Sequence, residues 1–337
     1  MVKHFLCLMK QICVVFVLLM ALMTSAQCQK TAEDWFNKGN SLLNLGKYNE
    51  SIEAYNKVLE LSPSSAAAWN QKGKALSNQS KYDEALQAFD KAIEIDPQDA
   101  IAWNNRGFTL YSLGRYIGSS LAYDKAIELN PKYTDAWINK AGSLSAQGKY
   151  DEALQAFDKA IEIDPENAMA WYDKGRILME LRKNNESVQA YDKAIELNPQ
   201  YTNAWINKGL VLNLQGKHDE AIKCFDEAIR TNPQSADASD AKGNALAEQG
   251  KFDEAIKTFD GVIKLDSTNV AAWVGKGLTL QLQGKNNEAI MAFDEAIRIN
   301  PHFEAAWVGK SIALKALGKT TESNAAFAKA MELGYTG

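Results

Sequence analysis

The hydrophobic and polar positions of this chain repeat every 34 residues, and the repeating pattern predicts helices in pairs. With tryptophan set at position 4, the period divides the chain into nine units: 32–65, 66–99, 100–133, 134–167, 168–201, 202–235, 236–269, 270–303 and 304–337. All seven prolines stand at position 32 of a unit. Eight units carry the tryptophan, to which we assign a structural role: Trp35, Trp69, Trp103, Trp137, Trp171, Trp205, Trp273 and Trp307.

Two groups of positions within each unit have the spacing of amphipathic helices. Positions 4, 8 and 11 share one helical face, and positions 20, 24 and 27 share another, because residues three or four apart are neighbours on a helix. Position 8 is glycine in seven units, and position 24 is always phenylalanine or tyrosine. A Gly-Lys turn near positions 15 and 16 separates the helices, and the proline ends the second one. The pattern predicts an all-α chain in which small residues allow the helices to approach beside an aromatic ring.

This combination of Trp, Gly, Ala, Phe and Pro at 34-residue spacing resembles the tetratricopeptide repeat over residues 32–337. The resemblance implies a right-handed superhelical α-solenoid of antiparallel helix pairs. It also implies that the first helices line a concave groove, which binds extended peptides or partner helices. Two columns depart from the family pattern: position 11 is leucine instead of tyrosine, and position 7 is lysine or arginine in all nine units instead of leucine.

The cation at position 7 has an acidic counterpart, because position 25 is aspartate in seven units. In an antiparallel pair that turns near positions 15 and 16, the two positions lie level with each other. We therefore predict an ion pair inside each unit, for example between Lys140 and Asp158, and assign it a structural role.

The columns that vary while the frame stays constant are the candidate binding surface. They lie at positions 5, 6, 9 and 12, where asparagine amides are expected to bind a peptide backbone and aromatic rings to anchor apolar side chains. The candidate partner-binding residues are Phe36, Asn40, Asn70, Lys74, Asn104, Phe108, Tyr111, Asn139, Tyr172, Arg176 and Asn207. The last two units instead present Val274, Leu278, Val308 and Ile312. The family's carboxylate clamp, lysine at 5 with asparagine at 9, is absent from this sequence.

No motif for catalysis, a cofactor or a metal ion is found in the sequence. The formal charge of −5, without a basic stripe, also argues against nucleic-acid binding. Similar repeats precede the catalytic region of O-linked N-acetylglucosamine transferases, but the repeats leave no room here for such a domain. We therefore expect a scaffold that binds other proteins or peptides and is not an enzyme. The alternative is a structural element of the cell envelope or extracellular matrix.

Residues 1–26 have the pattern of a secretory signal peptide, followed by a linker over 27–31. A basic start precedes the apolar run from Ile12 to Met23, and small residues follow before Gln27. The pattern predicts a secreted or cell-surface protein. An uncleaved N-terminal membrane anchor is the alternative, and a lipid on Cys28 or a disulfide between Cys28 and Cys224 is not expected.

Two units depart from the frame. The seventh has Ser239 in place of tryptophan and Ser267 in place of proline, so we expect it to be the least stable. The last unit leaves apolar surface around Phe327 and Met331, so the chain is expected to be a monomer or a weak dimer through its C-terminal repeat.

Overall fold

The computed structural model describes residues 30–336, and within this range the chain forms eighteen α-helices and no strand. The first helices of the nine units are α1 Ala32–Asn44, α3 Ala66–Asn78, α5 Ala100–Ser112, α7 Thr134–Ala146, α9 Ala168–Glu180, α11 Thr202–Leu214, α13 Ala236–Glu248, α15 Val270–Leu282 and α17 Glu304–Ala316. The second helices are α2 Tyr48–Leu61, α4 Tyr82–Ile95, α6 Tyr116–Leu129, α8 Tyr150–Ile163, α10 Asn184–Leu197, α12 His218–Thr231, α14 Phe252–Leu265, α16 Asn286–Ile299 and α18 Thr320–Glu332. The predicted all-α array of antiparallel helix pairs is confirmed.

The turns between the helices follow from local chemistry. Several first helices begin behind a polar residue whose side chain accepts a hydrogen bond from the first turn, as Asn167 does from the backbone N–H of Ala170 at 3.0 Å. In seven of the nine units, the first helix is followed by a glycine with positive φ, such as Gly216 at 75°. Ser80 and Arg182 adopt the same left-handed conformation in the second and fifth units.

The core of a unit is a close approach between position 8 and position 24. At Gly209, an added Cβ would lie 2.5 Å from the ring of Phe225, and the other glycines at this position stand equally close to their rings. The rings of Tyr55, Phe89 and Phe293 are fully buried as a result. The predicted role of the small residue, to let the helix backbone approach an aromatic ring, is confirmed.

The prediction of an ion pair inside each unit is wrong. Lys140 binds Asp124 of the preceding unit at 2.6 Å, and Asp158 accepts from Lys174 of the following unit at 2.6 Å. Position 25 and the next unit's position 7 also lie level, across the turn at proline. The lysine also lies over the ring of the tryptophan at position 4 of its own helix. The pairs therefore join consecutive units.

Contacts within the chain divide it, inside α8, into two larger parts. The N-terminal part extends to Ala156 and the C-terminal part starts at Phe157. None of the helices within residues 30–336 combines the length and apolar character that crossing a membrane requires. Cys224 is buried. The expected signal peptide, its anchor and lipid alternatives, and Cys28 lie outside the described residues.

Candidate functional site

The candidate site is formed by the variable positions of the first helices. We call it the first-helix surface and define it as positions 2, 5, 6, 9, 12 and 13 of each unit. These positions share a side because they recur at three- and four-residue spacing, while positions 4, 8 and 11 carry the frame. Every candidate residue from the sequence lies on this surface, but the candidates differ in what their side chains already contact.

Several predicted asparagines bind each other between consecutive units. The Nδ2 of Asn105 donates to Oδ1 of Asn70 at 2.9 Å, and Asn139 donates to Asn104 in the same way at 3.1 Å. Asn207 donates to the hydroxyl of Tyr172 at 3.1 Å. We call these bonds, from position 6 of one unit to position 5 of the unit before, the asparagine ladder.

The asparagine ladder shows that these side chains bind other residues of the chain. Asn70 and Asn104 are buried, and Asn70 also donates to Asp99 at 3.3 Å. A buried amide that loses its hydrogen bonds costs free energy. These hydrogen-bonded side chains therefore hold adjacent units in register. Their role in binding a partner stays a prediction. The signal in the sequence was the 35-residue separation between polar residues at positions 6 and 5.

In the first unit, the candidate residues also contact other residues of the same unit. Asn40 accepts a hydrogen bond from the hydroxyl of Tyr55 at 2.8 Å, and the ring of Phe36 lies 5.9 Å from that of Tyr55, centroid to centroid. Both Asn40 and Phe36 are half-buried.

The third unit presents its candidates to solvent. Phe108 is 51% exposed and Tyr111 is 39% exposed, although both rings are large and apolar. Ile101, on the same helix, is also exposed. In the second unit, Lys74 is exposed.

The fifth unit places two half-buried tyrosines near the exposed Arg176. The ring of Tyr172 lies 4.7 Å from that of Tyr201, and burial raises the pKa of Tyr201 to about 12. Arg176 is exposed and donates through Nη1 to Oδ1 of Asp173 at 3.2 Å. Burial also raises the pKa of Asp173, against the opposing effect of Arg176. Sequence reasoning missed Asp173, because its importance arises from burial.

Aliphatic side chains take the place of these groups toward the C-terminus. Leu278 and Ile312, both named from the sequence, stand exposed at position 9, together with Leu210. Leu214 and Leu282, at position 13, are exposed too and were missed. Their signal was leucine at a position that is otherwise polar or small.

The opposite side of the units carries a repeated cleft between the two helices. In the fifth unit it has a volume of about 470 Å³ and is lined by Trp171, Lys174, Glu186 and Asp192, among others. The lysine is already engaged, by the tryptophan ring at 5.4 Å and by Asp158. No group of three or more His, Cys, Asp or Glu within residues 30–336 is arranged to hold a metal ion.

The chain matches known protein families and solved structures. Two family models, both described as tetratricopeptide repeat, match the chain, one over residues 36–100, 70–116, 172–236 and 241–302, the other over 100–133 and 134–167. No curated protein matches. Among solved structures, the Cut9–Hcn1 hetero-tetramer of the APC/C is 18% identical with a TM-score of 0.54, covering 82% of this chain and 54% of that one.

Two further structures are similar. PilF of Pseudomonas aeruginosa is 20% identical with a TM-score of 0.54, covering 61% of this chain and 94% of that one. YrrB, a TPR protein with an unusual peptide-binding site, is 28% identical with a TM-score of 0.47, covering 56% of this chain and 96% of that one. The likeness to Cut9 and PilF is a likeness of fold.

Proposed function

Because the chain belongs to the tetratricopeptide repeat family, whose members bind other proteins or peptides, we propose that its first-helix surface binds extended peptides or partner helices. Proteins of this fold are typically scaffolds without catalytic activity, and we propose the same for this chain. The alternative is a structural role in the cell envelope or matrix, which depends on array length alone. The experiment below distinguishes this role from partner binding.

One observation carries the proposal. Position 9 is exposed and apolar in four units, at Phe108, Leu210, Leu278 and Ile312. A partner that covers this column gains about 25 cal/mol for each Å² of apolar area that it buries. Tyrosine, present here as Tyr111, is among the residues that most often dominate the binding energy of an interface, and phenylalanine is enriched in interfaces.

The test is a pull-down in which the purified chain and two matched double variants serve as bait. Phe108→Ala with Tyr111→Ala should lower the amount of each captured partner about tenfold, since loss of two interface anchors removes over 1 kcal/mol. The control, Ile117→Ala with Leu121→Ala, removes exposed apolar side chains from α6 of the same unit and should change little. Equal capture by both variants and the parent protein would count against the first-helix surface and favour the structural alternative.

We further propose that the chain acts outside the cytoplasm. The support is the basic start, apolar run and small residues of the first 26 positions. N-terminal sequencing of the protein from its native source should give Gln27 as the first residue. A start at Met1 would instead support the uncleaved anchor.

A further inference from the structure

Three segments of the chain have the acceptor motif for asparagine-linked glycosylation, in which serine or threonine stands two residues after asparagine. They are residues 49–51 (Asn-Glu-Ser), 78–80 (Asn-Gln-Ser) and 185–187 (Asn-Glu-Ser). A transferase that recognises this motif must reach both the asparagine amide and the hydroxyl of the third residue. The three segments differ in whether the fold leaves these two groups accessible.

The fold closes the motif serine in two of the three segments. Ser51 is fully buried and donates to the backbone carbonyl of Gly39 at 2.9 Å. Ser187 is buried in the same way and donates to the carbonyl of Gly175 at 2.8 Å. Both serines lie in the first turn of a second helix, so an enzyme could reach their hydroxyls only if that turn unfolded.

The segment 78–80 is open at both groups. Asn78 is the last residue of α3, and Ser80 lies in the turn that follows. Both residues are exposed. A glycan on Asn78 would therefore start from the end of a helix, at the surface of the molecule, and would displace no residue of the core.

Ser80 occupies a position that favours glycine. It is position 15 of the second unit, which is glycine in seven units, and its backbone is left-handed with φ of 60°. This conformation is unfavourable for a residue with a Cβ, so serine costs stability here relative to glycine.

The same serine completes the acceptor motif at this turn. Asparagine stands at position 13 in the first two units alone, as Asn44 and Asn78. In the first unit Gly46 follows two residues later, so the motif is incomplete. The second unit is therefore the one unit in which the turn between the helices carries the whole motif.

We propose that Asn78 carries an asparagine-linked glycan and that Asn49 and Asn185 do not. The donor is an oligosaccharide joined through phosphate to a polyprenol lipid. Nδ2 of Asn78 loses one proton and forms a bond to the anomeric carbon of the sugar. The bond between that carbon and the phosphate oxygen breaks, and the lipid phosphate leaves with the electron pair. The inference rests on the proposed location outside the cytoplasm, because this motif is an acceptor in exported proteins.

Tryptic digestion of the protein from its native source tests the site, because lysines place each motif in a separate peptide. These peptides are residues 48–57, 75–81 and 184–193. In mass spectrometry, we expect the peptide 75–81 to carry the added mass of a glycan on its asparagine and the other two to have the masses of their sequences. An unmodified peptide 75–81, or equal modification of all three, would overturn the inference.

An exchange of the position-15 residues between the first two units tests the turn itself. Each variant is expressed as the full chain in the native source. Ser80→Gly gives the second unit the glycine of seven other units, so it should keep its helical circular dichroism and lose the glycan completely. Gly46→Ser completes the motif after Asn44, which is exposed like Asn78, and should add a glycan to the tryptic peptide 39–47. A glycan retained by Ser80→Gly, or none gained by Gly46→Ser, would contradict the assignment.

The modification and the proposed location can fail separately. If peptide 75–81 is unmodified in a protein whose first residue is Gln27, the inference fails and the location outside the cytoplasm stands. If the peptide is unmodified and the protein remains in the cytosolic fraction, both fail.

Discussion

Glycine at position 8 sets the distance between the two helices of a unit. In the units of Gly39, Gly107 and Gly175 a tyrosine ring fills the space that a Cβ would need, and in the units of Gly73 and Gly209 a phenylalanine ring does so. Glycine costs helix stability, by roughly 0.5–1 kcal/mol relative to alanine, so its recurrence inside nearly every first helix requires a compensating contact. The buried ring beside it is that contact.

Alanine at such a glycine should therefore destabilise the protein. Gly209→Ala places a Cβ 2.5 Å from the ring of Phe225, and the overpacking should lower the free energy of unfolding by about 1–3 kcal/mol. Gly142→Ala, next to position 8 in the fourth unit, meets nothing within 4 Å and should be neutral or stabilising by up to about 1 kcal/mol. Urea unfolding followed by circular dichroism measures both, and equal effects would contradict the close-approach account.

At the scale of the helix, the junction between units depends on a three-part contact. A lysine at position 7 lies between the tryptophan ring of its own helix and the aspartate of the preceding helix, as Lys276 does between Trp273 at 5.6 Å and Asp260 at 2.6 Å. The indole N–H of Trp273 donates to the carbonyl of Ser267 at 3.1 Å, as the other tryptophans of α3–α17 donate to the proline carbonyl. The seventh unit has the ion pair alone, because Ser239 replaces the tryptophan.

The seventh unit should accordingly open more readily than its neighbour. Amide hydrogens of residues 236–269 should exchange faster than those of 202–235 in hydrogen-exchange mass spectrometry. Ser239→Trp should slow this exchange by about fivefold, since the added ring and its hydrogen bond contribute about 1 kcal/mol. Ser239→Phe supplies a ring without the N–H donor and should recover part of the effect. Exchange as slow as that of 202–235 in the parent would contradict the account.

The helices could be predicted from the sequence far better than the contacts between them. Each helix is determined locally, by glycine and proline at its ends and by apolar residues three and four positions apart, so the period located all of them. The partner of Lys140 was not determined locally, since two aspartates lie level with it and the spacing does not distinguish Asp124 from Asp158.

The same limit applies to the candidate site. Exposure of Phe108 and Tyr111 could be predicted, because their columns vary while the frame does not. The burial of Asn70 and Asn104 could not, because it depends on side chains 35 residues away.

At the scale of the whole molecule, one frame carries two kinds of surface. The N-terminal part of the chain, up to Ala156, presents the aromatic pair Phe108 and Tyr111, and the C-terminal part presents leucines and an isoleucine. In a repeat array each helix pair contacts only its neighbours, so the exposed columns are free to change while the fold is preserved. The binding surface is therefore composed of local sites that differ in chemistry.

Two methionines offer the most direct test that partners bind the first helices. Met169 lies on the first-helix surface at position 2 of α9 and is 50% exposed, whereas Met291 lies on α16, a second helix, and is 70% exposed. Oxidation to the sulfoxide depends on access to the side chain, so mass spectrometry after brief peroxide treatment reports which side is covered. With a captured partner bound, Met169 should be protected and Met291 oxidised as in the free protein. Protection of Met291 with Met169 still fully reactive would contradict the account.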